Sequence, residues 1–355
     1  MSKNNKPKCD KIYIMTEYKF NRINQLSPIF SERILRFAML HTKDSSIAKE
    51  MFSDQFVYGH REILLKYAGL DYSNQIIGVI QHGMNYSVQW NYQTPRFIGG
   101  KKTKLYVFSR RDQEIAESLG HKHVHAIGAP WLYLMNSLES SKTFPPEGEE
   151  SVLIMPYHSQ SAVPDVSSLN TKLARAKAFR DVIGSMRSTV CLHPVDFLDP
   201  NARTAFQEYG FTVTCIGSTA GLAWSPSGGR VTALASLHSL MSRHTHYLTD
   251  SVGTSLFYAA NMGMKIGIFP KIRDLIELSQ IVSSTYTDKI DRNLNYDFIH
   301  EYFGNAKDTF APSLEFIQIT NQILGTDSLL DPKALKEVLD YRPGIYPKEI
   351  GIEPW

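Results

Sequence analysis

The chain has 355 residues, 43% hydrophobic and 21% charged, a globular composition that excludes a mostly disordered protein. Lysine and arginine number 38 and the acidic residues 35, so the formal charge of +3 argues against nucleic acid as the main partner. No apolar run is long enough to cross a bilayer, and the three cysteines lack disulfide or zinc spacing, so we expect a cytoplasmic protein.

The first half of the chain alternates strand and helix patterns. Strands are predicted at 11–15, 75–81, 104–109 and 124–131, the last running into a Gly/Pro turn, and helices at 27–41, 45–68 and 111–119. Glu17 follows the first strand, and His82 and Gly83 follow the second. Polar groups at the carboxyl ends of parallel strands face a shared site, so His82 and Glu17 are candidate catalytic residues.

A polar, proline-containing linker at 140–150 separates this half from a second alternating set. Its strands are predicted at 152–155, 189–192, 211–216, 247–249 and 265–269, and its helices at 169–183, 201–208, 231–242 and 256–262. We therefore predict an α/β fold with two Rossmann-like domains facing a cleft. The first domain spans 1–145 and the second spans 146–330. A C-terminal helix and tail follow at 331–355, and whether they pack back on the N-terminal domain is left open.

Polar residues also follow the strands of the second half. His158 and Ser159 follow its first strand, and His193 and Pro194 follow its second. A turn at 250–255 precedes a helix and contains Ser251, Thr254 and Ser255. Backbone N–H groups and hydroxyls at a helix N-terminus bind anions, so this turn is a candidate phosphate site. The alternative is an ordinary βαβ turn in which these residues only cap the helix.

Several common sites are excluded by missing motifs. The chain has no Asp-x-Asp pair for a metal-bound nucleotide diphosphate, no P-loop and no GxGxxG fingerprint. His121, His123 and His125 alternate and would share one face of a strand, but no cysteine or carboxylate lies near to complete a zinc site. We interpret them as a polar edge and expect no metal.

The second half resembles bacterial GT-B glycosyltransferases that use CMP-activated sugars, which share paired HP and S/T motifs. Sialyltransferases, polysialyltransferases and Kdo transferases belong to this group. The resemblance implies that the CMP phosphate and ribose are held by five residues: His193, Pro194, Ser251, Thr254 and Ser255. We expect Ser159 to contact the nucleotide as well, and His158 to bind phosphate or protonate the leaving group.

The first half resembles the amino-terminal domains of these transferases more loosely. The order of His82-Gly83, 106–109 and 127–130 also occurs in CDP-glycerol glycerophosphotransferases, where a His-Gly histidine is thought to be the base. The chain lacks the paired-acid motif that supplies the base in several sialyltransferase families. The sequence therefore leaves two candidates for the catalytic base, His82 and Glu17.

The resemblance implies a metal-independent enzyme that moves an acidic keto-sugar, a sialic-type nonulosonic acid or Kdo, from its CMP derivative to lipopolysaccharide, capsule or another surface glycan. The CMP-sugar is then a co-substrate, no cofactor is expected, and the acceptor is a glycan or glycolipid. Peripheral contact with the cytoplasmic face of the inner membrane is a further option. The alternatives are a CDP-glycerol or CDP-polyol phosphotransferase and a catalytically silent nucleotide-sugar-binding protein of a polysaccharide assembly complex.

Overall fold

A computed structural model describes residues 58–71, 74–84, 104–138, 150–157, 168–216, 233–269, 310 and 314–342. The predicted strand at 11–15, the helix at 27–41 and most of the linker lie outside these residues, as do Glu17, His158 and Ser159.

The N-terminal half is built from short strands and helices that follow one another along the chain. The strands are β1 (Gln75–Ile76), β2 (Val79–Ile80), β3 (Leu105–Val107) and β4 (Val124–Ala126). The helices are α1 (His60–Tyr67), α2 (Arg110–Ser118) and α3 (Pro130–Ser137). Strands β2, β3 and β4 form a parallel sheet in that order.

The prediction of one continuous strand at 75–81 is wrong, because the structure has two short strands there, β1 and β2. Gly78 has a φ of 135°, which few side chains tolerate, and a Cβ there would lie 2.7 Å from the Lys104 carbonyl oxygen. The chain bends at this glycine, so β1 leaves the parallel sheet and only β2 pairs with β3. The predicted turn after β4 likewise continues into helix α3.

The C-terminal half contains a five-stranded sheet. Its strands are β5 (Ser151–Ile154), β6 (Arg187–Leu192), β7 (Thr212–Cys215), β8 (His246–Thr249) and β9 (Lys265–Ile268). Its helices are α4 (Leu169–Ile183), α5 (Pro194–Leu198), α6 (Pro200–Glu208), α7 (Ala233–Met241) and α8 (Thr254–Asn261). All neighbouring strands are parallel, in the order β7-β6-β5-β8-β9. The predicted α/β fold with parallel sheets is confirmed.

Residues of β5 alternate between the two faces of this sheet, as the strand period requires. Val152 and Ile154 pack in a cluster with Phe179 of α4 and Phe206 of α6. Leu153 belongs to a second cluster that contains residues of α7 and α8. Helices therefore cover both faces of the sheet, which leaves the carboxyl ends of its strands as the place for a ligand.

That second cluster also contains the core of the N-terminal half, so the two sheets share one body of buried apolar side chains. The Trp131 ring of α3 stacks on the Tyr258 ring of α8, with centroids 4.6 Å apart and planes at 12°. The indole N–H of Trp131 donates to the Asn261 side-chain oxygen at 3.1 Å. Stacking and hydrogen bonding through one buried tryptophan fix α8 relative to the N-terminal sheet.

The C-terminal segment comprises α9 (Leu314–Leu324), α10 (Pro332–Val338) and β10 (Tyr341–Arg342). Strand β10 pairs antiparallel with β1, and Leu335 and Leu339 are buried in the shared cluster. The Asp340 N–H donates to the Tyr106 hydroxyl of β3 at 2.8 Å. This segment therefore lies against the N-terminal half of the chain.

Within the described residues, no helix combines the length and apolarity that a membrane span requires.

Candidate functional site

A hydrogen bond joins the carboxyl ends of the two sheets. After β2, the Met84 N–H donates to the Thr254 hydroxyl oxygen at 3.0 Å, although the two residues are 170 positions apart. A Cβ on Gly83 would lie 2.5 Å from the same oxygen, so the contact needs a glycine there. The structure therefore brings the predicted His82-Gly83 turn against the first residue of α8, the helix of the predicted phosphate site.

The His82-Gly83 turn is held by the side chain of Gln81, which is 3% exposed. Its amide nitrogen donates to the Gly83 carbonyl at 2.8 Å and to the Asp112 carboxylate at 3.1 Å, and its oxygen accepts from the Phe108 N–H at 2.7 Å. A buried amide with these three partners admits few other orientations. Gln81 therefore fixes the backbone that carries His82.

His82 is half-buried and lies beside two other ring side chains. Its ring centroid is 5.0 Å from that of Tyr58, which is 5.6 Å from that of His60. The Tyr58 carbonyl accepts from the Leu234 N–H of α7 at 3.2 Å, so this group also lies at the junction of the two halves. Sequence reasoning missed His60 and Tyr58; the signal that could have found them is the Gly59-His60 step at the start of a helix.

Burial dominates the electrostatics of His60, which is fully buried at the start of α1. Loss of solvation, and secondarily the positive charge of His82, lowers the pKa of His60 to about 3. Within the part of the chain that the structure describes, neither ring nitrogen of His60 has a hydrogen-bond partner. The imidazole of His60 is therefore neutral at physiological pH.

The N-terminus of α8 has the geometry expected for an anion site. Gly253 is the N-cap residue, with extended backbone and no side-chain hydrogen bond to the first turn. Uncapped N–H groups and the helix dipole both favour a negative group at such a position. The Ser255 hydroxyl instead bonds the buried Tyr247 hydroxyl at 2.7 Å. Ser251 is buried, and its N–H donates to the Thr249 hydroxyl at 3.3 Å.

Asp250 connects β5 to β8 at the point where the strand order of the sheet reverses. Its fully buried carboxylate accepts from the Tyr157 N–H at 2.6 Å and from the Arg175 guanidinium at 2.9 and 2.5 Å. Arg175 also donates to the Tyr157 carbonyl at 2.8 Å. Breaking a buried pair of this kind typically costs roughly 3–5 kcal/mol. Sequence reasoning placed Asp250 in the turn without giving it a role; the structure makes it a positioning residue.

The predicted HP pair lies at the end of β6, separated from α8 by β5. His193 is half-buried, and its carbonyl accepts from the Phe197 N–H at 2.8 Å, which closes the first turn of α5. Pro194 is the first residue of that helix. Two strand spacings place the ends of β6 and β8 about 10 Å apart. His193 and Thr254 are therefore at one edge of the sheet without being neighbours.

The three alternating histidines lie in different surroundings. His121 is buried, His123 is exposed, and the half-buried His125 ring stacks on the Tyr106 ring with centroids 6.0 Å apart. Among the described residues there is no cluster of His, Cys, Asp or Glu side chains that could hold a metal ion.

No protein-family model and no curated protein sequence matches the chain. Among solved structures, it is similar to UDP-GlcNAc 2-epimerase from Neisseria meningitidis bound to UDP-GlcNAc, at 14% identity and a TM-score of 0.35. The similarity covers 74% of this chain and 67% of that one.

Gly83→Ala should lower the free energy of unfolding, because its Cβ would lie 2.5 Å from the Thr254 hydroxyl oxygen. Thr254→Ala removes that oxygen. The double variant should therefore lose about 1–2 kcal/mol less unfolding free energy than the sum of the losses in the two single variants. Urea unfolding of the four proteins measures this coupling. Gly253→Ala is the control, since among the described residues no atom lies within 4 Å of its added Cβ. Single losses that add within about 0.5 kcal/mol would refute the contact.

His60 should make the protein less stable below pH 6.5. The unfolded chain then gains a proton on this imidazole, while the folded chain, whose His60 pKa is lowered to about 3, does not. Between pH 7.5 and 5, wild type should therefore lose about 2 kcal/mol more unfolding free energy than His60→Gln. Urea unfolding at both pH values measures the difference. His123→Gln, a change at an exposed histidine, should follow wild type; parallel profiles for all three proteins would contradict the burial argument.

Proposed function

We propose that this chain is a metal-independent glycosyltransferase that moves an acidic keto-sugar, a sialic-type nonulosonic acid or Kdo, from its CMP derivative to a glycan or glycolipid acceptor. One observation carries the proposal: the Met84–Thr254 hydrogen bond joins the His82-Gly83 turn to the N-terminus of α8. A general base and an anion site meet there, which is the arrangement that glycosyl transfer from a sugar phosphate requires.

The donor phosphate would lie at the N-terminus of α8. As the bond between the anomeric carbon and the phosphate oxygen breaks, negative charge grows on the departing CMP. The first-turn N–H groups and the helix dipole stabilise that charge without a metal. The Thr254 oxygen already accepts from Met84, and its own O–H can donate to a phosphate oxygen. Asp250 supports this end of β8 and does not oppose the anion, because Arg175 compensates its charge.

The acceptor would approach from the N-terminal sheet, where His82 is the proposed base. Its neutral imidazole takes the proton of the acceptor hydroxyl as the new glycosidic bond forms, and imidazoles titrate in the range where such transfer is efficient. Gln81 holds the turn in place through its hydrogen bond to the Gly83 carbonyl. Glu17 is the rival base, and it lies outside the described residues.

The proposal extends to the surroundings in which such an enzyme works. Its acceptor would be lipopolysaccharide, capsule or another surface glycan, and the enzyme would act in the cytoplasm, in peripheral contact with the inner membrane. A CDP-polyol phosphotransferase would use the same junction, but it would transfer a phosphoryl group instead of a sugar. A silent binding protein would use only the anion site.

Isothermal titration in the presence of a chelator should show CMP binding, because the proposed phosphate site uses N–H groups and hydroxyls and needs no metal. CMP should bind with higher affinity than UDP or GDP, because the proposed donor is a CMP-sugar. His82→Ala should lower turnover of a CMP-sugar by about 10²–10⁴, with CMP affinity nearly unchanged. His125→Ala, a half-buried histidine on β4, is the matched control and should retain activity.

A preference for UDP or GDP would contradict the donor assignment. If His82→Ala keeps its turnover while Glu17→Gln loses it, the carboxylate is the base. Product mass spectrometry separates sugar transfer from phosphoryl transfer. CMP-sugar that binds and is neither transferred nor hydrolysed would identify a binding protein.

A further inference from the structure

Adjacent hydroxyls at the start of α8 each contact a hydrogen-bonding group from inside the protein. The Thr254 oxygen accepts from the Met84 N–H at 3.0 Å. The Ser255 oxygen lies 2.7 Å from the hydroxyl of Tyr247 on β8. Serine and threonine hydroxyls can accept and donate at the same time. Which group donates in the Tyr247–Ser255 pair therefore decides whether the Ser255 hydrogen is available to a ligand.

Tyr247 lies inside the sheet, below the first turn of α8. Its partners in register are Leu153 of β5 and Ile266 of β9, and all three belong to the apolar cluster that also contains residues of α8. Tyr247 is 1% exposed. Burial raises the pKa of its phenol, so the hydroxyl stays protonated at physiological pH. Because a buried O–H needs an acceptor, Tyr247 must donate its hydrogen to a neighbouring group.

The surroundings of Tyr247 favour Ser255 as that acceptor. The 2.7 Å separation is the usual length of an O–H···O hydrogen bond, and a phenol is a stronger acid, hence a stronger donor, than an aliphatic alcohol. The other nearby hydroxyl, that of Thr249, donates to the Ser251 carbonyl at 3.2 Å and already accepts from the Ser251 N–H at 3.3 Å. We therefore take Tyr247 as the donor and Ser255 as the acceptor.

A Ser255 oxygen that accepts from Tyr247 keeps its own hydrogen for another partner. Ser255 is half-buried in the first turn of α8, directly after Thr254. Hydrogen bonds in a chain polarise one another, so accepting from a phenol makes the serine O–H a better donor. Each of the two hydroxyls then has an internal donor behind it and a hydrogen for an acceptor outside. A phosphate, whose oxygens accept several hydrogen bonds, suits such a pair.

We propose that Tyr247 is a positioning residue of the phosphate site, which donates to the Ser255 oxygen and thereby directs the Ser255 O–H toward a phosphate oxygen, beside the O–H of Thr254. The inference rests on the proposed function, since it concerns the phosphate at the start of α8. Tyr247 would act without touching the ligand. Its effect should grow as negative charge builds on the departing CMP, because hydrogen bonds to charged oxygens are stronger.

The experiment is titration of the full chain with CMP and with cytidine, which lacks the phosphate. Tyr247→Phe keeps the ring and removes one oxygen. It should weaken CMP binding by about three- to tenfold, the usual effect of losing one hydrogen bond. Cytidine should bind this variant as it binds wild type. If Tyr247 served packing alone, both ligands would be weakened alike, and that result would contradict the inference.

A double-mutant cycle tests whether Tyr247 acts through Ser255. Ser255→Ala should weaken CMP by about tenfold or more, because it removes a hydrogen bond to a charged group. Adding Tyr247→Phe to Ser255→Ala should change the affinity by less than about twofold, since no O–H is left to direct. Losses that multiply independently would overturn the inference.

Tyr106→Phe is the matched control, because it also removes a buried tyrosine hydroxyl. That hydroxyl belongs to β3, donates to the Ile77 carbonyl and accepts from the Asp340 N–H. The variant should bind CMP as wild type does. A loss as large as that of Tyr247→Phe would reveal a general effect of buried hydroxyls and would count against the positioning role.

Ser255→Ala keeps the inference decidable if Tyr247→Phe does not fold, because it removes a single half-buried oxygen. Weaker binding of CMP with unchanged binding of cytidine would support the inference. Wild-type affinity for CMP in Ser255→Ala would overturn it and leave the proposed function intact, since Thr254 and the N–H groups of α8 would still hold the phosphate. Failure of wild type to bind CMP would overturn the proposed function itself, and this inference with it.

Discussion

The hydrogen bond from the Met84 N–H to the Thr254 hydroxyl is the contact on which the arrangement of the site depends. It is possible only because Gly83 has no side chain, since a Cβ would lie 2.5 Å from the same oxygen. The contact is supported on one side by the amide of Gln81 and on the other by the stacking of Trp131 on Tyr258. It therefore sets the separation between the carboxyl ends of the two sheets, where the proposed donor and acceptor would lie.

Near this contact, the charge of Asp250 is compensated by an ion pair, and His60 is kept uncharged by burial. Asp250 places a fully buried negative charge beside the proposed phosphate position, and Arg175 compensates it while both bind the backbone of Tyr157. The pair links the residue after β8 to the residues that follow β5, and such fixed contacts favour preorganised charge stabilisation. His60 contributes through burial, because its lowered pKa keeps it uncharged next to His82.

The strands of the C-terminal sheet were predictable, because buried parallel strands are continuous apolar runs bounded by turns; β5 and β8 are predicted to within one residue. The division of the predicted strand at 75–81 was not predictable, because the bend at Gly78 depends on the close approach of Lys104 and not on the local sequence pattern. The strand-end rule placed Thr254 and His82 in one cleft. It could not show that Ser255 bonds inward to Tyr247, or that His60 is buried beside Tyr58, because these contacts are made only after packing.

Amide hydrogen exchange with and without CMP, in the presence of a chelator, tests the central claim that one nucleotide phosphate binds where the two sheets meet. Saturating CMP should slow exchange at 82–84, after β2, and at 253–256, at the start of α8, because both segments would enclose the same ligand. Protection on both sides of the Met84–Thr254 contact would support the shared site. No protection at saturating CMP, or protection that spares the start of α8, would contradict it.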